Sequence, residues 1–203
     1  MRTLTLLMAL ILGLLTTPGE ENSGLTKENG YVINLDRAEK LEKMTYSSLF
    51  SKAGIIVLED TDESLLGKVD KLEVCDNNLY VLEKGRGLFL FNKQGKFIKM
   101  IGRKGKGPGE YIDPGDISVD RENKKIYVLD SQTQNVLKYS SNGTFESSFK
   151  LENKGTRSTF IQPFKNALYT NLYTFDESGK RFLLSKVDVT NGKRISFQFE
   201  ASQ

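Results

Sequence analysis

The hydrophobic residues of this chain fall into short runs with polar residues between them, and their alternation has the two-residue period of β-strands. From residue 70 onward the pattern predicts four successive strands, separated by turn-forming residues. These predicted strands are Leu72–Val74, Leu79–Leu82, Leu88–Phe91 and Lys96–Ile101. Gly95 supplies the positive φ that the last hairpin turn requires. Long amphipathic helical patterns are absent from the sequence, so the pattern indicates an all-β fold.

The same order of strands returns twice further along the chain. Tyr127 corresponds to Tyr80, 47 positions earlier, and Gly143 corresponds to Gly95, 48 positions earlier. A looser third copy follows, in which Gly192 lies 49 positions after Gly143. The three copies comprise residues 70–101, 116–150 and 159–199.

A repeat of roughly 40 to 50 residues with four short strands is typical of a β-propeller blade. A single blade cannot bury both of its faces, so blades gain a core by stacking on their neighbours. The repeated aromatic residues are therefore interpreted as packing between blades rather than as a ligand cage; they are Phe89, Phe91, Phe97, Tyr139 and Phe145. The sequence predicts a β-propeller of four-stranded antiparallel blades, of which about three are present.

The basic, glycine-rich stretch from Gly102 to Pro114 joins the first two copies. Residues 102–115 are interpreted as the connector between blades, because glycines permit the unusual backbone angles of such a crossing. A phosphate-binding loop is the competing interpretation, since glycines beside cations resemble an anion nest. It is disfavoured because no Lys-Ser or Lys-Thr follows at the required spacing and no helix pattern begins after the loop. The candidate binding or structural residues of this connector are Arg103, Lys104, Lys106, Glu110 and Tyr111.

The N-terminus has the pattern of an export signal. Arg2 precedes an almost unbroken run of twelve apolar residues from Leu4 to Leu15, and small or turn-forming residues follow up to Gly19. A membrane span needs roughly 20 apolar residues, so the run better matches a secretory signal over residues 1–19. An uncleaved anchor is the alternative.

The remainder of the chain divides by composition into a linker and a folded part. Residues 20–30 are polar and predict a flexible linker, and residues 31–203 are assigned to the partial propeller. Within it, residues 31–69 contain two β-type runs, Tyr31–Leu35 and Ile55–Glu59.

Composition and charge exclude several functions. The formal net charge of +3 is too small to predict nucleic-acid binding. The sequence has no histidine, which removes the commonest general base and most zinc sites. Cys75 is the single cysteine and is interpreted as a buried thiol. We therefore expect no catalytic residues, no metal and no cofactor. A carboxylate pair remains the alternative, drawn from Asp113, Asp116, Asp120 and Asp130.

The connector and the copy after it resemble an NHL-type repeat. The residues that carry this resemblance are Gly102–Tyr111, Asp116–Asp120, Ile126–Asp130, Val136–Tyr139 and Asn142–Gly143. More closely, the chain resembles six-bladed β-propeller proteins exported by Bacteroidetes-type bacteria, and this similarity extends upstream to Ser48–Phe50, Ile56–Glu59 and Asp62–Lys68. Members of that family often carry a lipoprotein signal cysteine, which this sequence lacks. The resemblance implies a ring of six blades, about half of which is present.

These observations together predict an exported protein, located in the periplasm, at the cell surface or outside the cell. The expected function is a non-catalytic module or scaffold that binds an unknown protein or carbohydrate ligand. A propeller enzyme acting on carbohydrate, as a hydrolase or lyase, and a truncated fragment without independent function are the alternatives. Open blade edges also predict self-association.

Overall fold

The computed structural model describes residues 45–152, 157–171, 174–175 and 180–200. The chain divides into two compact units, residues 1–52 and residues 53–203. The predicted signal, the linker and the run Tyr31–Leu35 lie outside the described residues. In the first unit the described element is the short helix α1 (Tyr46–Leu49). Across the described ranges, no helix has the length and apolar character needed to cross a membrane.

The described residues of the second unit form three antiparallel sheets and one two-stranded parallel sheet. Sheet 1 contains β1 (Lys71–Cys75), β2 (Asn78–Glu83), β3 (Gly87–Asn92) and β4 (Phe97–Ile101). The parallel sheet contains β5 (Arg103–Lys104) and β6 (Glu110–Tyr111). Sheet 2 contains β7 (Pro114–Asp120), β8 (Lys125–Asp130), β9 (Asn135–Ser140) and β10 (Phe145–Lys150). Sheet 3 contains β11 (Ile161–Phe164), β12 (Ala167–Thr170), β13 (Thr174–Phe175), β14 (Arg181–Asp188) and β15 (Arg194–Glu200).

The strands of sheets 1 and 2 follow one another as antiparallel meanders, as the alternating pattern predicts. Gly95, Gly143 and Gly192 occupy the corresponding last turns, with φ of 85°, 78° and 75°. Only glycine adopts such angles readily, which explains why the turn recurs with this residue. The predicted all-β fold with four-stranded antiparallel sheets is confirmed.

The sheets stack because their strands carry apolar residues on both faces. On β8, Ile126 and Val128 join a buried cluster with residues of sheet 1, whereas Tyr127 and Leu129 join a second cluster with residues of sheet 3. A strand that is buried on both faces reads as a nearly continuous apolar run, as β8 does. Sheet 2 is thereby enclosed between its two neighbours.

The first strands of sheets 1 and 2 differ in burial although their apolar patterns are the same. Ile117 and Val119 of β7 are 0% and 4% exposed, whereas Leu72 and Val74 of β1 are 42% and 46% exposed. The residues of β7 are covered by sheet 1. No sheet among the described residues covers the corresponding face of β1, so the same pattern yields an exposed apolar surface there.

The predicted strand Ile55–Glu59 is wrong, because the structure assigns no strand to these residues. Leu58 packs against a buried cluster on sheet 1, which consists of Leu79, Val81, Phe89 and Phe91. Glu59 N donates to Gly95 O at 2.7 Å. Glu152 N donates to Gly192 O in the same way, at 3.2 Å, directly after β10. Residues 55–59 thus contact sheet 1 in the way that the end of β10, the last strand of sheet 2, contacts sheet 3. It is not a strand because no described strand lies beside it to complete a ladder.

Candidate functional site

A groove of about 730 Å³ lies between the glycine-rich connector and the outer strands of sheet 2. Residues 105–110 of the connector form one wall, and Leu137 and Phe145 contribute apolar surface. Polar residues from sheet 2 and its turns complete the lining; they are Asp130, Thr133, Asn135, Ser147 and Ser148. The groove therefore combines backbone, hydroxyl and amide groups with one aromatic ring, as small-molecule sites commonly do.

The connector is held in shape by its own backbone. Strands β5 and β6 pair in parallel, with Arg103 opposite Glu110 and Lys104 opposite Tyr111. Gly105 N donates to Tyr111 O at 3.1 Å, which closes the loop between these strands. Residues 105–109 therefore form a loop whose two ends are held together by backbone hydrogen bonds.

The carboxylate of Glu110 fills the inside of this loop. Its Oε2 accepts a hydrogen bond from Gly107 N at 2.8 Å, and its Oε1 lies 2.6 Å from Arg103 Nε. The Gly107 amide, followed by the Arg103 guanidinium, lowers the pKa of Glu110. A Cβ atom on Gly105 would overlap Glu110 Oε2, so a larger residue at that position would displace this carboxylate. The anion nest that the glycines and cations suggest is occupied by the protein's own carboxylate.

Two buried tyrosines fasten the connector to the sheets on either side. The hydroxyl of Tyr111 donates to Ile101 O at 2.9 Å and accepts from Leu88 N at 3.1 Å, both in sheet 1. Tyr139 of sheet 2 donates its hydroxyl to Gly109 O at 3.1 Å. Burial raises the pKa of both phenols, and both therefore act as neutral structural groups.

Asp130 fixes the point where the connector enters sheet 2. Its Oδ2 accepts from Ile112 N at 2.7 Å, and its Oδ1 accepts from Gln132 N at 2.9 Å and Thr133 N at 3.1 Å. Glu83, the corresponding residue of sheet 1, accepts from Gly67 N at 3.3 Å. The acidic residue at the end of the second strand of each sheet, Glu83 or Asp130, therefore holds a neighbouring segment by accepting its backbone hydrogen bonds.

Asp113, Asp116 and Asp120 of the predicted carboxylate group do not line the groove, and the last two are engaged by the fold. Asp116 accepts from Lys71 Nζ and Ile161 N, and Asp120 accepts from Glu122 N and Asn123 N. Within the described ranges, no three His, Cys, Asp or Glu side chains are grouped so that they could hold a metal ion.

The structure places the five candidate residues of the connector in different surroundings. Lys106 and Glu110 line the groove. Arg103 and Lys104 are exposed and do not line it, and Tyr111 is buried. Sequence reasoning missed the contribution of β10, where Ser147 and Ser148 stand opposite Lys138 and Leu137. Two adjacent serines on an edge strand are a weak signal, and only the fold brings them to the connector.

These features define an all-β protein of stacked antiparallel sheets of four or five strands. Residues 30–202 match the family described as "Domain of unknown function (DUF4934)", and the chain belongs to this family. No curated protein matches the chain.

Several solved structures are similar to this chain over part of its length. A Bacteroides fragilis protein described as a "Putative exported protein" is 26% identical, with a TM-score of 0.62, and the match covers 72% of this chain and 42% of that one. The chain thus spans less than half of that protein. The Neurospora crassa Pan2 WD40 domain is 13% identical, with a TM-score of 0.46, covering 64% of this chain and 35% of that one. A DUF4221 family member from Bacteroides vulgatus is 9% identical, with a TM-score of 0.46, covering 62% and 40%. The predicted resemblance to exported proteins of Bacteroidetes-type bacteria is confirmed as a similarity to the Bacteroides fragilis protein.

Proposed function

We propose that the chain is part of an exported β-propeller that binds carbohydrate in the connector groove without catalysing a reaction on it. In this proposal, sheets 1 to 3 are three consecutive blades of a six-bladed, NHL-like ring. The repeat spacing and the stacking of sheet 2 between its neighbours support the blade assignment. The signal-like N-terminus and the similarity to the Bacteroides fragilis protein support export.

The observation that carries the carbohydrate assignment is the set of polar groups beside Phe145. Asn135, Ser147 and Ser148 line the groove, and their side chains make no hydrogen bond to any described residue. Hydroxyl and amide groups both donate and accept hydrogen bonds, which suits the hydroxyls of a sugar. The half-buried ring of Phe145 offers an apolar surface on which the C–H face of a sugar ring can pack.

The two carboxylates of the groove support a binding role over hydrolysis. Glycoside hydrolysis requires a carboxylic acid with a raised pKa beside a second, free carboxylate. The pKa of Glu110 is lowered by Gly107 and Arg103. Asp130 accepts three backbone hydrogen bonds and holds the chain in place. Neither group therefore has the surroundings of a general acid.

A binding screen of the full chain against immobilised neutral and acidic oligosaccharides tests this function. We expect at least one oligosaccharide to bind and the binding to fall about tenfold in Phe145→Ala, a loss equivalent to about 1.4 kcal/mol. The double variant Ser147→Ala/Ser148→Ala should also weaken binding, and it tests the groove without removing the ring that packs on Tyr139.

Phe164→Ala is the matched control, because this exposed aromatic residue lies on sheet 3 and does not line the groove. Binding that resists all the groove variants, or that falls equally with Phe164→Ala, would place the site elsewhere. A failure of every oligosaccharide to bind would refute the carbohydrate assignment.

A further inference from the structure

The charged groups that line the groove differ in how many hydrogen-bond and ion-pair partners they have within the protein. They are Lys106, Glu110 and Asp130. The described residues provide no ion-pair or hydrogen-bond partner for the ammonium group of Lys106. Both carboxylates, in contrast, have several partners within the protein. Lys106 is therefore the one charged group of the groove lining whose side chain makes no hydrogen bond or ion pair with a described residue.

Each carboxylate is already hydrogen-bonded within the protein. Glu110 pairs with Arg103 and accepts from Gly107 N. Asp130 accepts from three backbone amides, which carry partial positive charge. An incoming anion thus meets no unpaired carboxylate in the groove. It also cannot use the amide of Gly107, because that amide already binds Glu110.

Lys106 is therefore the group that an anionic ligand would contact. It lies between Gly105 and Gly107 in the closed loop, so its position along the groove wall is fixed by the pairing of β5 with β6. Lys104 carries the same charge but does not line the groove, and Arg103 is held by Glu110.

We infer that the carbohydrate bound in this groove carries an acidic substituent, a carboxylate or a sulfate, that pairs with Lys106 Nζ. This inference rests on the proposed carbohydrate function. The hydroxyl and amide groups of Asn135, Ser147 and Ser148 bind the neutral part of the sugar, and Lys106 selects the acidic form. Because the groove is open to solvent, the pair is partly screened, and the selectivity falls as salt is added.

The test compares matched oligosaccharides of glucose, galactose and mannose with their uronic-acid and sulfated counterparts, using the full chain at low and high salt. The wild-type protein should bind one acidic series about five- to tenfold more tightly than its neutral counterpart. Lys106→Gln should remove this preference, because it weakens binding of the acidic series more than binding of the neutral series. The uronic-acid and sulfated arms identify which acidic group is recognised.

Lys104→Gln is the matched control, since it removes the same charge two residues away and outside the groove. The inference is overturned if neutral and acidic sugars bind equally, or if Lys104→Gln abolishes the preference as fully as Lys106→Gln. Neutral sugars that bind in a Phe145-dependent manner would then leave the proposed carbohydrate function standing. Absence of binding to every series would instead refute both.

Discussion

Asp116 Oδ1 lies 2.8 Å from Lys71 Nζ, which joins the first strand of sheet 2 to the first strand of sheet 1. Its second oxygen, Oδ2, accepts from Ile161 N in sheet 3, also at 2.8 Å. One carboxylate that is 6% exposed thus connects all three sheets. If the carboxylate is removed, the Ile161 amide loses its acceptor, and Lys71 keeps only Glu73 Oε1, which lies 3.9 Å from its Nζ.

We expect Asp116→Ala to lower the free energy of unfolding by about 2–4 kcal/mol, because it leaves a buried amide without an acceptor and leaves Lys71 with only the more distant carboxylate of Glu73. Urea denaturation measures the change. Lys68→Ala is the control, since it removes an ion pair to Asp70 from a side chain that is 74% exposed. The control should cost about 1 kcal/mol or less. Equal losses in the two variants would contradict a connecting role for Asp116.

The corresponding residues Leu72 and Ile117 should respond differently to truncation. Ile117→Ala should cost about 2–5 kcal/mol, because it opens a cavity in the core between sheets 1 and 2. Leu72→Ala should cost no more than about 1 kcal/mol, because this side chain is 42% exposed. Thermal and chemical denaturation of both variants checks the prediction. A large loss for Leu72→Ala would mean that another surface covers this face in solution.

The docking of Leu58 and Glu59 on sheet 1 should depend on the absence of a side chain at Gly95. A Cβ atom on Gly95 would overlap the carbonyl oxygen of Val57, whereas a Cβ on Gly85 would meet no atom within 4 Å. The two glycines have nearly the same φ, 85° and 83°. Their backbone strain on substitution by alanine should therefore be similar, about 1–2 kcal/mol.

We expect Gly95→Ala to cost at least about 1–2 kcal/mol more than Gly85→Ala, because overpacking adds to the strain. Hydrogen exchange at the Glu59 amide gives a local readout, since this amide donates to Gly95 O. Protection should fall in Gly95→Ala and persist in Gly85→Ala. Unchanged protection in both variants would contradict the described docking.

The connector should loosen in acid through Glu110. The pKa of this carboxyl is lowered from 4.5 in the folded protein, so its contribution is complete above that value and is lost as the pH falls through the lowered pKa. Exchange of the Gly107 amide, measured by NMR between about pH 2 and pH 6, should therefore accelerate, relative to its intrinsic rate, at the acidic end.

In Glu110→Gln the same amide should lose this pH dependence, because the amide side chain does not titrate in the range. Arg103→Gln retains the carboxylate and removes one of its partners, so its transition should move to higher pH. A wild-type profile that matches Glu110→Gln at every pH would exclude the carboxylate as the group that holds the loop.

The sequence predicts the strands well because alternation and turn chemistry are local properties. The period of two places the strands, and the recurring glycines place the last turns. Ile55–Glu59 has the β-branched composition of a strand, but a strand also needs a neighbour for its backbone, which composition does not report. Likewise, the pattern of Leu72 and Ile117 is the same, and only the presence of a covering sheet separates their burial.

The candidate site was predictable only in part. The glycines and cations of the connector stand out in the sequence, and two of the five candidates, Lys106 and Glu110, line the groove. The partners of the loop could not be foreseen, because Phe145 and Ser147 belong to a strand that follows the connector by more than thirty residues. The occupation of the Gly107 amide by Glu110 likewise depends on the pairing of β5 with β6.

The Glu110 carboxylate takes the place that a bound anion would otherwise have inside the connector loop. Glycine residues lose the most conformational freedom when a chain becomes ordered. In this loop that entropy is lost when the protein folds, before any ligand binds. The loop does not have to be organised again when a molecule enters the groove. A preorganised wall of this kind loses little entropy on association, so a ligand keeps more of its interaction free energy as affinity.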